Sequence, residues 1–270
     1  MQDMESEDME SEDMESDLMA LLVDLHRRQD RQGPGGDAQT RTAMDLAGLW
    51  SQTGLRVADI GCGTGASAFV LAELPDVSIT AVDLFDDFLT ELTMRAHKRG
   101  LSDRLRTVAA DMTDLPFGDE EFDVLWSEGA IYSMGFEAGV QSWRRYVKPG
   151  GVLAVSEITW LTHERPGSLE EYWIGEYPEI DTAAAKMAIL EKHGYAPIGY
   201  FTLPRECWID AYFAPLADEF ARFLDRHDGN AAAESVVAAE RAEIELFQTH
   251  DAFYSYGFYI ARRTDAIMSS

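Results

Sequence analysis

Cysteine is nearly absent from this 270-residue chain. Only Cys62 and Cys207 occur, too few for a disulfide framework or a four-thiolate zinc site. Basic residues are also scarce: Lys plus Arg reach 22 against 49 acids, a net charge of −27. A field of that sign repels phosphate backbones and makes nucleic acid an unsuitable partner. No apolar run approaches the roughly 18 residues a membrane span needs. The acidic N-terminus resembles neither a secretory signal nor a transit peptide, so no membrane partner is expected and a cytoplasmic location is. The six histidines show no H-x-x-x-H spacing, so no metal is expected. Nothing in the pattern specifies an oligomeric state.

Residues 1–17 repeat Asp-Met-Glu-Ser-Glu with nine acids and no base. Dense like charge with little apolar area cannot offset the entropy of ordering, so this stretch reads as a disordered acidic tail. Residues 18–50 form an N-terminal helical region. Leu18, Leu21, Leu22 and Leu25 fall at helical spacing, Arg31 to Gly36 break the helix, and a second helix is expected over Thr42–Leu49. Residues 51–265 read as one α/β domain, with insertions at about 160–180 and 205–250.

The most informative stretch is Leu55-Arg56-Val57-Ala58-Asp59-Ile60-Gly61-Cys62-Gly63-Thr64-Gly65. A short apolar run ends in three glycines, which allow a sharp turn and let backbone N–H groups approach a ligand. Cys62, inside that turn, reads as a small packed residue rather than a nucleophile. The next strand, Ser78 to Val82, ends in Asp83. In doubly wound folds an acid there accepts the ribose hydroxyls of an adenosine. NAD and S-adenosylmethionine both satisfy this much, since Gly61-x-Gly63-x-x-Ala66 also fits the dinucleotide fingerprint.

The elements downstream separate the two. Strands are expected at Arg106–Ala110, Glu121–Trp126 and Val152–Ser156, with a helix over Phe136–Val147. In order stand D-I-G-C-G-T-G, V-D-L, A-D-M-x-x-L-P-F, F-D-V-L-W and K-P-G-G. This succession resembles class I S-adenosylmethionine-dependent methyltransferases of the ubiquinone/menaquinone-methyltransferase-like type. Arg31-Gln32-Gly33-Pro34, the loop after Trp126, Tyr177-Pro178-Glu179 and Leu203-Pro204-Arg205 extend the similarity to a subgroup of uncharacterised bacterial methyltransferases.

The resemblance implies a Rossmann-like, doubly wound, seven-stranded sheet with an antiparallel last strand, at Phe253–Arg262. It implies S-adenosyl-L-methionine as cofactor and a small molecule as methyl acceptor. The N-terminal segment, with Gln32 and Gly33, would lie over the cofactor as a lid. Asp59, Gly61, Gly63 and Gly65 would hold its methionine end, Asp83 its ribose with Leu84 against the adenine, and Asp111 and Met112 the adenine edge; Ser127 joins this group. Glu128 and Tyr132 follow the fourth strand, where acceptors reach the methyl group, and are the candidate catalytic pair. The alternative role for Glu128 is to order its loop, and for Tyr132 to be an aromatic wall. An NAD(P)-dependent oxidoreductase and a non-catalytic S-adenosylmethionine-binding module are the competing functions.

Overall fold

The computed structural model describes residues 16–264. The expected acidic tail falls almost wholly outside the described residues. Its boundary is earlier than expected, because Ser16 and Asp17 already belong to a helix running to residue 26 (α1).

Strands β1 (Arg56–Ile60), β2 (Ser78–Asp83), β3 (Leu105–Ala109), β4 (Phe122–Glu128) and β5 (Val147–Trp160) are parallel. A two-residue strand, β6 (Asp181–Thr182), pairs with the end of β5. β7 (Tyr195–Thr202) and β8 (Tyr254–Arg263) complete the sheet, in the order β3-β2-β1-β4-β5-β8-β7. β8 runs antiparallel to both of its neighbours. The expected seven strands are therefore present, the last antiparallel, with β6 added beside the end of β5.

Helices cover both faces: α2 (Asp37–Ala47), α3 (Ala66–Leu71), α4 (Asp86–Lys98), α5 (Phe136–Trp143), α6 (Gly167–Glu176) and α7 (Ala183–Lys192). α8 (Arg205–Trp208) passes through a π-helical turn at Ile209–Phe213 into α9 (Ala214–Arg226), and α10 (Ala231–His250) follows. Coverage on both faces explains why β1 is apolar at consecutive positions: Val57, Ala58 and Ile60 are all buried. Trp126 and Val57 pack into the core on one face, Leu125 and Ala58 into that on the other.

Several boundaries differ from expectation. α2 begins at Asp37 rather than Thr42, because Gly36 in extended conformation already starts the helix. The stretch from Trp160 to Ile180 shows no period in sequence yet holds α6, whose buried face comes down to Leu169. The 205–250 insertion is α8 to α10, with Asn230 capping α10 by accepting the N–H groups of Ala232 and Ala233.

Candidate functional site

The carboxyl ends of β1, β2 and β4 converge where the strand order reverses, the crevice in which open α/β sheets bind ligands. β1 leads into Gly61, whose φ of 70° favours glycine. A side chain there would collide with Ala130. Gly63 also has positive φ, 52°, and Gln32 fills the space where its Cβ would stand. Gly65 caps α3.

Three acids frame this turn in different ways. Asp59 is fully buried; Oδ2 accepts the Ser67 hydroxyl at 2.6 Å and Oδ1 has no partner. Desolvation raises its carboxyl to about 7. Asp83 Oδ2 accepts the Gly63 N–H at 2.8 Å and Oδ1 the Phe85 N–H at 3.1 Å, so it shapes the glycine turn itself. Burial raises this carboxyl too, and the backbone donors work against that rise. Asp111 is exposed at the end of the third strand. Its Oδ1 accepts both the N–H and the hydroxyl of Thr113 at 2.7 Å. Those bonds hold its carboxyl below the usual range, and Oδ2 is left free. Leu84 leaves 59% of its surface open beside Asp83. Met112 is fixed through its carbonyl, which accepts the Trp143 indole N–H at 2.9 Å.

The N-terminal segment crosses this turn. Gln32 Oε1 accepts the Thr64 N–H at 2.8 Å, while its amide group donates to the carbonyls of His26 and Gln29. Arg31 donates to Glu128 Oε2 at 2.9 Å. Glu128 Oε1 accepts the Thr40 hydroxyl at 2.6 Å and the Trp126 indole N–H at 3.0 Å. One carboxylate thus ties residues 31–40 to the end of β4.

A cavity of about 650 Å³ extends from the glycine turn past Glu128, within the size range of small-molecule sites. Gln32, Gly33, Gly61, Gly63, Asp83 and Leu84 line it, and so do Asp111, Met112, Glu128 and Tyr132. Asp59, Gly65 and Ser127 lie behind its wall: Ser127 is fully buried and its hydroxyl has no partner. Tyr132 stands in the opening, with 49% of its surface exposed. Glu157, near the end of β5, is buried outside the cavity lining, 3.7 Å from the fully buried Lys186.

The far wall is formed by Tyr212 and by residues that sequence reasoning missed: His26, Glu240, Glu243 and Tyr256. His26 Nε2 lies 3.1 Å from Glu240 Oε1. A signal was present in α10. Glu240 occupies the same stripe as the buried Ala233, Val236, Val237 and Phe247, and an acid on a dry helical face needs a reason.

The sequence profile of a family described as "Methyltransferase domain" matches residues 58–155. Those residues match a methyltransferase domain. The domain is similar to a 27-O-demethylrifamycin SV methyltransferase of Amycolatopsis mediterranei, 33% identical over 136 residues. The match covers 50% of this chain and 49% of that protein, so the chain spans about half the length of this curated relative. An S-adenosylhomocysteine complex of a methyltransferase from Thiobacillus denitrificans superposes with a TM-score of 0.77 at 20% identity, over 91% of this chain and 97% of that one. The [4+2]-cyclase SpnF superposes with a TM-score of 0.70 at 22% identity, over 85% and 81%. These likenesses concern the fold, which carries chemistry other than methyl transfer as well. The glycine turn, Asp83, Asp111 and Glu128 fall inside the methyltransferase domain. Gln32, Tyr212, Glu240, Glu243 and Tyr256 fall outside it.

Proposed function

We propose that this protein is a cytoplasmic S-adenosyl-L-methionine-dependent methyltransferase that acts on a small molecule. The observation that carries the reading is the single cavity that joins the carboxylates beside the glycine turn to an aromatic, acidic far wall. The residues present fit the cofactor. Gly61 leaves an open cradle that a Cβ would fill, Asp111 Oδ2 is free to take an amino group, and exposed Leu84 offers an apolar platform. Asp83 keeps lone pairs for two ribose hydroxyls while its backbone donors hold it in place. Gln32 and Gly33 cover the methionine end.

S-adenosylmethionine, when bound, supplies a methyl group on a positively charged sulfur. The protein then has to orient an acceptor and exclude water. Glu128, with donors on both oxygens, serves as an anchor for the covering segment rather than as a base. Tyr132 walls the acceptor space. Catalysis rests on proximity and desolvation.

Calorimetric titration tests the cofactor assignment. S-adenosylhomocysteine should bind at micromolar concentration, with NADH giving no heat above dilution. Binding of NADH alone would overturn it and restore the oxidoreductase reading.

A further inference from the structure

The far wall of the cavity is built from α1, the π-helical turn, α10 and β8, all outside the methyltransferase domain. Its polar groups are under-satisfied in one direction. Glu243 makes no hydrogen bond or ion pair among the described residues. Glu240 is 8% exposed; Oε1 meets His26 and Oε2 is buried without a partner. The phenol of Tyr212, a residue 7% exposed, makes no hydrogen bond among the described residues, and neither does the phenol of Tyr256. Both phenols lie close enough to Glu243 to feel its charge. Arg31 also lines the cavity but is committed to Glu128. The wall therefore offers two carboxylates, tyrosine hydroxyls and ring faces, with His26 against Glu240 and, among the described residues, no free Lys or Arg lining the cavity.

Carboxylates without counter-charges are costly in such a place, and the cost falls when a cation with N–H donors enters. Aromatic faces beside them favour the same class of ligand. A carboxylate- or phosphate-bearing molecule would be repelled, and a neutral alcohol would leave the acids unpaired.

We propose that the far wall is the acceptor subsite for a small organic amine, its ammonium group held by Glu243 and Glu240 among Tyr132, Tyr212 and Tyr256. This rests on the reading of the near half as the cofactor half. Glu243 is raised to about 7 by burial first, then by the neighbouring Glu240 and Glu176. An entering ammonium stabilises its charged form.

Calorimetry on the full chain, with and without saturating S-adenosylhomocysteine, tests the assignment. The probes are 2-phenylethylamine and tyramine, set against 2-phenylethanol and phenylacetate. At least one amine should bind more than tenfold tighter than the alcohol, and phenylacetate should not bind. Glu243→Gln should weaken the amine at least tenfold, leave the alcohol and S-adenosylhomocysteine within twofold, and melt no lower than the parent, since no partner is lost. Equal affinity for amine and alcohol, no amine binding, or amine binding indifferent to Glu243→Gln overturns the inference and leaves the cofactor reading standing. Amine binding that survives while S-adenosylhomocysteine fails to bind overturns the cofactor reading and keeps the amine site. Glu240→Gln is the second variant and should weaken the amine in the same direction.

Discussion

Replacing Glu128 with Gln separates an anchor from a base. The carboxylate serves three donors, the Arg31 guanidinium, the Thr40 hydroxyl and the Trp126 indole. A glutamine can keep its carbonyl toward Thr40 and Trp126, but its amide N–H groups then face Arg31. The Arg31 side chain is 10% exposed, so it loses its buried partner and keeps only Asp37, 3.7 Å away and open to solvent. Breaking a buried pair from one side costs about 3–5 kcal/mol, and access to Asp37 places this case near about 3 kcal/mol. Urea unfolding at constant ionic strength reads that loss. Trypsin should cut faster after Arg27, Arg28 and Arg31 as the segment loosens. S-adenosylhomocysteine should bind at least about tenfold weaker, equivalent to 1.4 kcal/mol, because Gln32 rides on the same segment. Adding Arg31→Met to Glu128→Gln should recover part of the stability by removing the orphaned charge. The reasoning fails if Glu128→Gln unfolds at the parent urea concentration and binds S-adenosylhomocysteine normally. If methyl transfer to an accepted substrate then falls about 10²–10⁴-fold, Glu128 is a base.

Asp83→Asn should weaken S-adenosylhomocysteine binding about ten- to hundred-fold, since hydrogen bonds to a charged acceptor contribute about 1.5–3 kcal/mol; unchanged affinity in calorimetry would mean the ribose is held elsewhere. Asp59→Asn should become relatively more stabilising as pH rises from 5 to 6.5. The folded Asp59, raised to about 7, keeps a proton there that the unfolded chain has released, so the parent loses up to about 1.4 kcal/mol per pH unit. A stability difference between the two proteins that is flat in pH refutes this. Lys186→Met should cost about 3–5 kcal/mol in chemical unfolding by stranding buried Glu157, and Glu157→Gln on that background should restore much of it. Tyr132→Phe should leave the rate of methyl transfer within a few-fold if the ring only walls the acceptor space; a hundred-fold loss would give the hydroxyl a chemical role.

The near half of the cavity was legible in sequence because its requirements are local. A turn with positive φ demands glycine at Gly61 and Gly63, and Asp83 closes β2 as its last residue. The far half was largely not, because its residues come from elements far apart in the chain: α1, the π-helical turn, α10 and β8. His26 reads as one polar residue in a short helix until Glu240 is placed against it. Glu240 and Glu243 look like a solvated helical face when neighbouring acids are counted rather than their alignment with Val236 and Phe247. Glu128 was found with two roles open, base or loop anchor, since neither Arg31 nor Thr40 announces in sequence that it will reach the end of β4. The start of α2 was missed for a smaller reason: Gly36 was read as a breaker, although it also begins the helix.

The position of β8 between β5 and β7 bears on how the chain is made. β7 finds no partner in β5; each pairs instead with β8, which is synthesised only after the whole of α8, α9 and α10. Until then β5 presents nine residues, Val152 to Trp160, as an unpaired edge, and β7 waits on its own. Exposed apolar edges are where nascent chains stick to one another. A ribosome pausing within residues 203–253 would hold the protein in that sticky state. Residues 205–250, with ten acids against four arginines, would then act through their net charge as a temporary solubilising screen, useful before any ligand is ever met.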